Sequence, residues 1–178
     1  DEDGQFPDWI EIMNTGAADI NVQQYAITDN PDTWNKWLLP NYIIEAGERL
    51  LIFASEKNRD CYGCPGIVNY LHTNFKLSTG ETVALYDESG NLIDSVTIGN
   101  VYATDVMARI PDGGDWCYAD TETAKGPNDV TCYSAYSDEP IFTTAPGFYA
   151  GSVDVTISGT DILYTTNGDW PDVDGISY

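Results

Sequence analysis

The sequence of 178 residues is 42% hydrophobic and 12% aromatic, which is enough apolar material for a packed core and argues against disorder. It carries 7 lysines and arginines against 29 aspartates and glutamates, a formal net charge of −22 at pH 7. That charge opposes binding to nucleic acid and to anionic membrane surfaces. No segment approaches the roughly 20 apolar residues that span a bilayer. We therefore predict neither a nucleic-acid partner nor membrane insertion.

Short strands are predicted along the first half of the chain. Residues 8–13 mix polar and apolar side chains as a half-buried strand does, and residues 20–28 predict a second strand with a bulge near Gln23 and Gln24. Residues 49–54 form a continuous apolar run after an arginine, which predicts a strand buried on both faces. Of the neighbouring tryptophans, Trp37 is predicted to join the core and Trp34 to be exposed.

The stretch over residues 82–96 predicts a hairpin, because two apolar runs flank a polar turn that contains Gly90 and Asn91. Its predicted core-facing residues are Val83, Leu85, Leu92 and Val96. Another strand is predicted over residues 101–110. No long segment has helical periodicity, and turn signals recur every roughly 8–12 residues. The fold class predicted is therefore all-β, of the sandwich type.

A domain boundary is predicted after Tyr133, which gives a first domain over residues 1–133 and a second over residues 134–178. The second part contains two apolar runs, 153–157 and 162–166, joined by a predicted hairpin turn at residues 159–161. A segment of this length is marginal as an independent fold unless it leans on a neighbour or continues further.

Four cysteines, Cys61, Cys64, Cys117 and Cys132, allow three pairings. We favour Cys61 with Cys64 and Cys117 with Cys132, because each closes a short loop, and the second would contribute roughly 3 kcal/mol. A zinc site ranks second, since only the first pair has Cys-x-x-Cys spacing, and a redox motif ranks third. Disulfides indicate a secreted or cell-surface location.

Candidate ligand-binding residues are few. Asp1 and Asp3 have part of the spacing of a calcium loop, but a solvated turn is the more common explanation and we predict no metal. His72 has no neighbouring nucleophile or acid in the sequence, so a structural role is favoured. Trp34, Trp116 and Trp170 are candidates for stacking on a sugar ring.

Six motifs in order resemble the lamin tail domain as it occurs in secreted bacterial proteins, over residues 8–127. They are DWIEI at residues 8–12, YAITD at 25–29, WLLP at 37–40, GERLLI at 47–52, LHTNFKLS at 71–78 and RIPDG at 109–113. The resemblance implies an immunoglobulin-like β-sandwich with no known catalytic residues. The role of animal lamin tails at chromatin is not carried over, because the net charge opposes contact with DNA.

The C-terminal part is similar to the start of the small β-sandwich module that ends chitobiase and hexosaminidases. The residues that carry this are GFY at 147–149, the run at 153–158, and ILYTTNG at 162–168, where Asn167 replaces the aspartate usual in that family. The expected second module is therefore truncated, with additional domains expected C-terminal to it. In bacterial surface proteins such modules often precede a kinase-like domain, of which this chain contains none.

We predict a non-catalytic interaction or spacer module of a secreted or cell-surface bacterial protein, with no cofactor and with an unidentified protein or glycan as partner. A carbohydrate-binding appendage of a surface enzyme is the alternative, based on the tryptophans. An enzyme is disfavoured, because no phosphate loop, nucleophile elbow or zinc-protease motif occurs.

Overall fold

The computed structural model describes residues 1–61, 70–102, 104–168 and 175–178. The chain divides into two compact units, Asp1–Ser134 and Ala135–Tyr178. The described residues form β-strands and a single 3-10 helix, so the predicted all-β class is confirmed. In the described parts of the chain, no helix has the length and apolar character that crossing a bilayer requires.

The first unit contains eleven described strands and the 3-10 helix η1 (Pro31–Thr33). The strands are β1 (Asp8–Met13), β2 (Ile20–Asn21), β3 (Ala26–Thr28), β4 (Trp37–Leu38), β5 (Ile43–Ile44), β6 (Arg49–Ala54), β7 (Leu71–His72), β8 (Thr82–Tyr86), β9 (Leu92–Thr97), β10 (Val106–Ile110) and β11 (Asp115–Ala119).

Two principal sheets form this unit. The first has the order β1-β6-β7, in which β1 and β6 are antiparallel and β6 and β7 are parallel. The second has the order β4-β3-β8-β9 and is antiparallel throughout. Strand pairs β2-β5 and β10-β11 complete the described strands.

The core lies between the two principal sheets, as in a sandwich, because both contribute buried side chains to one apolar cluster. Trp37 belongs to it and is 3% exposed, as the sequence predicts. The other buried members are Val22, Ile27, Leu39, Ile44, Leu50, Ile52, Leu71 and Phe75. A second indole, that of Trp34, is 36% exposed.

Strand β6 is buried on one face, so the prediction of burial on both faces is wrong. Leu50, Ile52 and Ala54 are buried, whereas the alternating residues Arg49, Leu51 and Phe53 are half-buried. The outer face is only partly covered. Glu11 on β1 pairs with Leu51 on this face and accepts a hydrogen bond of 2.7 Å from the backbone N–H of Lys125. An apolar run thus alternates in burial because successive side chains point to opposite faces.

The predicted single strand over residues 20–28 is two strands in different sheets. Strand β2 pairs with β5, while β3 pairs with β4 and β8. The chain changes sheet at Gln24, whose φ of 68° lies in the left-handed region. The strand predicted over residues 101–110 is also shorter, since β10 begins at Val106.

The predicted hairpin is confirmed as β8-β9, with residues 87–91 as its loop. Val83 and Leu85 pack against the core, but Leu92 is 56% exposed, so its predicted core position is wrong. Leu85 pairs with Asp94, but the next residue, Tyr86, pairs with Leu92, so that Ile93 is left out of the register. This bulge turns Leu92 toward the opposite face of the sheet.

The described residues of the second unit form four short strands in two antiparallel pairs. They are β12 (Ile141–Phe142), β13 (Ile157–Ser158), β14 (Leu163–Tyr164) and β15 (Ile176–Ser177). Strand β13 pairs with β12 and β14 pairs with β15, so the predicted hairpin between the runs 153–157 and 162–166 does not form. Ile162 is buried, whereas Ile141 and Phe142 are exposed.

Candidate functional site

Several charged and polar groups of the first unit converge on His72, and we call them the anchor cluster. Its members are Asp1, Glu2, Asp3, Ser55, Lys57, Arg59 and His72. The parallel pairing of β6 and β7 places His72 opposite Phe53, two residues before Ser55. Arg59 also pairs with His72 through two backbone hydrogen bonds of 2.9 Å. Residues distant in the sequence are thus brought together by sheet pairing.

Both ring nitrogens of His72 are engaged, and the side chain is 0% exposed. Nδ1 lies 2.8 Å from Ser55 Oγ, and Nε2 lies 3.0 Å from both carboxylate oxygens of Glu2. An ionised carboxylate only accepts hydrogen bonds, so the fitting tautomer has Nε2–H donating to Glu2 and the Ser55 hydroxyl donating to Nδ1. Both ring nitrogens of this buried imidazole therefore have a hydrogen-bond partner.

Burial sets the pKa of His72, and hydrogen bonds set that of Glu2. Desolvation lowers the pKa of His72 below its ordinary value of 6.5, although the Glu2 carboxylate opposes this. Burial alone would raise the pKa of Glu2, but hydrogen bonds from its own backbone N–H, His72 and Arg59 outweigh burial and lower it below 4.5. The pair therefore consists of a carboxylate and a neutral imidazole near pH 7.

The carboxylates of Asp1 and Asp3 are paired with cations of the protein. Lys57 Nζ bonds to Asp1 and lies 2.6 Å from Asp3, and Arg59 contacts Asp3 at 2.8 Å. Asp1, Glu2 and His72 each offer a ligand atom within 4.8 Å of the others. A metal ion there would have to displace the ammonium of Lys57 from Asp1 and the guanidinium of Arg59 from Glu2. We therefore assign this acidic turn to ion pairing and assign no metal to it.

A cavity of about 340 Å³ lies beside Ser55, and its described lining consists of Gln5, Phe6, Pro7, Asp8, Ala54, Ser55 and Lys76. Neither His72 nor Glu2 belongs to this described lining. The hydroxyl of Ser55 thus contacts a neutral imidazole, as an activated serine does, but the imidazole itself is sealed inside the protein.

The tryptophans named from the sequence have different environments. Trp34 follows η1 and is 36% exposed, and its ring packs against Tyr86 with centroids 6.0 Å apart. Trp116 is half-buried, with the guanidinium of Arg109 4.9 Å from its ring centre and held there by two bonds to Asp94. One face of Trp116 is therefore already occupied. Trp170 lies outside the described residues.

Trp34 is held in place by the turn between β8 and β9. Gly90 has a φ of 82°, and a Cβ atom built on it would lie 3.3 Å from Cε2 and Cζ2 of the indole. The turn itself is organised by Asp87, whose carboxylate accepts bonds from the backbone of Ser89 and from the backbone and side chain of Asn91. Trp34, Tyr86 and Gly90 form what we call the Trp34 platform.

Cysteines stabilise the first unit at two places. Cys117 and Cys132 form a disulfide across a sequence separation of 15, next to the pairing of Tyr118 with Tyr133. Cys61 is also disulfide-bonded, whereas Cys64, its predicted partner, lies outside the described residues. No described cysteine is a free thiol.

Sequence reasoning identified His72 and Trp34 but missed the partners of both. Ser55 and Glu2 are 17 and 70 positions away from His72 in the sequence. No local sequence pattern predicts the parallel pairing of β6 with β7 that brings Ser55 to His72. The sequence predicts Gly90 as a turn residue, but no local pattern predicts its contact with an indole 56 positions earlier.

A family model described as Lamin Tail Domain matches residues 1–100. No curated protein and no solved structure matches the chain. The matched range contains the whole anchor cluster and the Trp34 platform.

Proposed function

This chain belongs to the lamin tail domain family, and from that premise we propose that it is a non-catalytic interaction or spacer module of a secreted or cell-surface bacterial protein. The family has an immunoglobulin-like fold, which agrees with the layered sheets of the first unit. Function has to be argued from a site and not from the fold alone, so the state of His72 matters most.

The observation that carries the proposal is the sealing of His72. A histidine that takes the proton of a serine must then pass it to the leaving group of the substrate, so its ring must be open to the substrate. His72 has 0% exposure, and its nitrogens are already occupied by Ser55 and Glu2. Among the described residues, this imidazole therefore supports a role in holding residues 1–3 against β6 and β7, and not a role in catalysis.

The absence of catalysis is tested with a fluorophosphonate probe, which reacts covalently with activated serines. The full chain, at pH 7 to 8, is expected to react no faster than the Ser55→Ala variant, because a substrate in the cavity beside Ser55 cannot contact the buried ring of His72. Heat-denatured protein gives the background. Labelling that is rapid and lost in both Ser55→Ala and His72→Asn would contradict the proposal.

The interaction role is tested by photo-cross-linking from exposed positions of the intact chain. A photoreactive residue at Leu92, which is 56% exposed, samples the face beside the Trp34 platform. The same residue at Val153 samples the second unit, where the side chain is 43% exposed. A discrete adduct is expected from at least one position on cells that produce the protein. Failure at every exposed position would overturn the interaction role and leave only a spacer.

The disulfides support an extracytoplasmic location. Cys117 is joined to Cys132, and Cys61 is oxidised as well. Protein isolated from producing cells with a thiol-blocking reagent is expected to contain no blocked cysteine when analysed by mass spectrometry. Quantitative blocking of Cys117 and Cys132 before any reductant is added would argue for a reducing compartment.

Carbohydrate binding is the second candidate, and the exposed indole of Trp34 is the observation that favours it. Aromatic faces stack on sugar rings, but a guanidinium already covers one face of Trp116. Affinity electrophoresis through polysaccharide gels is expected to retard the chain, and the Trp34→Ala variant less, if this function holds. Equal mobility of both proteins with and without polysaccharide would exclude it.

For the second unit we propose membership of the chitobiase and hexosaminidase C-terminal β-module family. Its support is the sequence resemblance over residues 147–168 together with the two antiparallel strand pairs β12-β13 and β14-β15. An experimental structure that contains this unit tests the proposal through its strand order. An order different from that of the chitobiase module would contradict it.

A further inference from the structure

We propose that the Trp34 platform binds a basic side chain, an arginine above all, presented by a partner protein. This inference rests on the proposed interaction function and specifies which type of side chain the partner presents. Three features carry it: an indole that is exposed but fixed, carboxylates on the two segments that hold it, and a net charge that selects among possible ligands.

The indole is preorganised for binding. Trp34 caps the C-terminal end of η1, whose N-cap is Asn30 with its side chain accepting a bond from the backbone N–H of Asp32. A Cβ atom added at Gly90 would lie 3.3 Å from the ring, which also packs against Tyr86, yet the indole remains 36% exposed. A ring that is held on one side and open on another loses little conformational entropy when a ligand covers it.

The same two segments are rich in carboxylates. Asp29 and Asp32 adjoin Trp34 in the sequence, and Asp87 and Glu88 lie in the turn beneath it, while Lys36 is the cation that follows Trp34. Four carboxylates and one ammonium give a local charge of −3. Lys36 is already bound to Asp29 at 2.7 Å, so its charge is directed toward that partner.

The two carboxylates of the turn interact with neighbouring groups. Hydrogen bonds from the side chain and backbone of Asn91 lower the pKa of Asp87. Burial first, and then the charge of the Glu88 carboxylate, raise the pKa of Tyr25. Asp87 and Glu88 thus belong to the same turn whose Gly90 faces the indole of Trp34.

Arginine fits this arrangement better than other ligands. Its planar guanidinium stacks on an indole face and donates to nearby carboxylates in the same pose. With a net charge of −22, the protein attracts a cation and repels phosphate or sulfate groups. A neutral sugar can stack on the ring but gains nothing from the charge. The charge therefore favours a basic protein segment over a glycan at this site.

The test uses nuclear magnetic resonance on the intact, isotopically labelled chain, with the Trp34 indole N–H and the Gly90 amide as reporters. The probes are acetyl-arginine amide and acetyl-citrulline amide, which have nearly the same shape but differ in charge, and methyl glucoside as the sugar. Arginine is expected to shift both reporters in a saturable way with millimolar affinity, and citrulline to bind about tenfold more weakly.

Matched variants separate the platform from the overall charge. Trp34→Ala keeps the net charge and is expected to abolish the Gly90 shift, while Trp34→Phe retains part of it. Glu88→Gln is expected to weaken arginine binding about threefold. Glu45→Gln removes the same charge at an exposed position on another loop and is expected to change the affinity by less than about 1.5-fold.

Each outcome is decisive. Equal shifts with arginine and citrulline, or equal weakening by Glu88→Gln and Glu45→Gln, would overturn the proposal in its charge-dependent form. A response to methyl glucoside without one to arginine would replace it with a glycan site. No response to any probe would overturn the platform as a site, while cross-linked adducts from other positions would still support the broader interaction function.

Discussion

His72 shows how a single buried residue can couple the first residues of the chain to the sheet. Its imidazole is neutral, fully buried and hydrogen-bonded on both sides. Protonation would place an N–H on each ring nitrogen, and the Ser55 hydroxyl could turn to accept from Nδ1–H. The cost of protonation is therefore the burial of the charge, which the Glu2 carboxylate offsets only in part. A fall in pH should therefore destabilise the first unit through protonation of His72.

The stability of the first unit is expected to fall as the pH drops below about 6.5, the ordinary pKa of histidine. Because the pKa of His72 is lowered in the folded state, the unfolded chain binds the proton first, and its uptake favours unfolding. The loss is at most about 1.4 kcal/mol per pH unit for one group. Urea unfolding at closely spaced pH values between 7 and 5 measures it.

The control for this pH effect is His72→Asn, which is less stable throughout but should lack the slope above pH 5. A second loss is expected below about pH 4.5, where Glu2 and Asp112, whose pKa values are lowered in the fold, take up protons. Glu11 acts in the opposite sense, because burial raises its pKa and its protonation accompanies folding. An unchanged slope in His72→Asn would show that another group titrates.

At the scale of elements, the turn between β8 and β9 has two roles, since it reverses the chain and seats Trp34. Gly90→Ala is expected to cost about 1 kcal/mol for a φ of 82°, and more because the new methyl group meets the indole. Gly80→Ala is the matched control: its φ is 87° and no atom lies within 4 Å of the added Cβ. Urea denaturation of both variants isolates the contact.

The difference between these two variants is the informative quantity. If Gly90→Ala costs no more than Gly80→Ala, the indole is not packed on the turn, and the platform loses its rigidity. If it costs more and the fluorescence of the native state also changes, the ring has been displaced from its seat.

A second prediction at this scale concerns the disulfide between β11 and the segment that follows it. Replacement of both Cys117 and Cys132 by alanine is expected to destabilise the first unit by about 3 kcal/mol, the loop-entropy value for a cross-link of this separation. The double variant leaves the oxidised Cys61 in place, whereas a reducing agent would not. If the double variant unfolds at the same temperature as the wild type, the pairing of Tyr118 with Tyr133 is sufficient to hold these two segments together.

Elements with local signals were predictable from the sequence, and those fixed by tertiary pairing were not. The β8-β9 hairpin follows from its turn residues and flanking apolar runs, and the burial of Trp37 follows from its apolar neighbours. The change of sheet at Gln24 and the exposure of Leu92 depend on which strands lie alongside, which no short pattern encodes. The contact of Ser55 with His72 depends likewise on the parallel β6-β7 pairing.

At the scale of the whole molecule, charge is the dominant property. The ion pairs of the anchor cluster, and those of Arg49 and Arg109, are local attractions that salt would weaken. They involve few cations, because the sequence has only 7 lysines and arginines for its 29 acids. Most carboxylates therefore repel one another at long range, and added salt should relieve more repulsion than it removes attraction.

We therefore expect the unfolding temperature at pH 7.5 to rise between 10 and 300 mM sodium chloride. A gain of about 1 kcal/mol corresponds to roughly 2–4 °C for a chain of this size. Calorimetry in sodium chloride and potassium chloride distinguishes general screening from binding of one cation, because screening depends only on ionic strength. Calcium chloride at matched ionic strength tests whether the acidic turn at Asp1 and Asp3 binds that ion. A fall in stability with salt would mean that the ion pairs outweigh the repulsion of the excess negative charge. An additional gain in stability with calcium alone would indicate that a calcium ion binds beside Lys57.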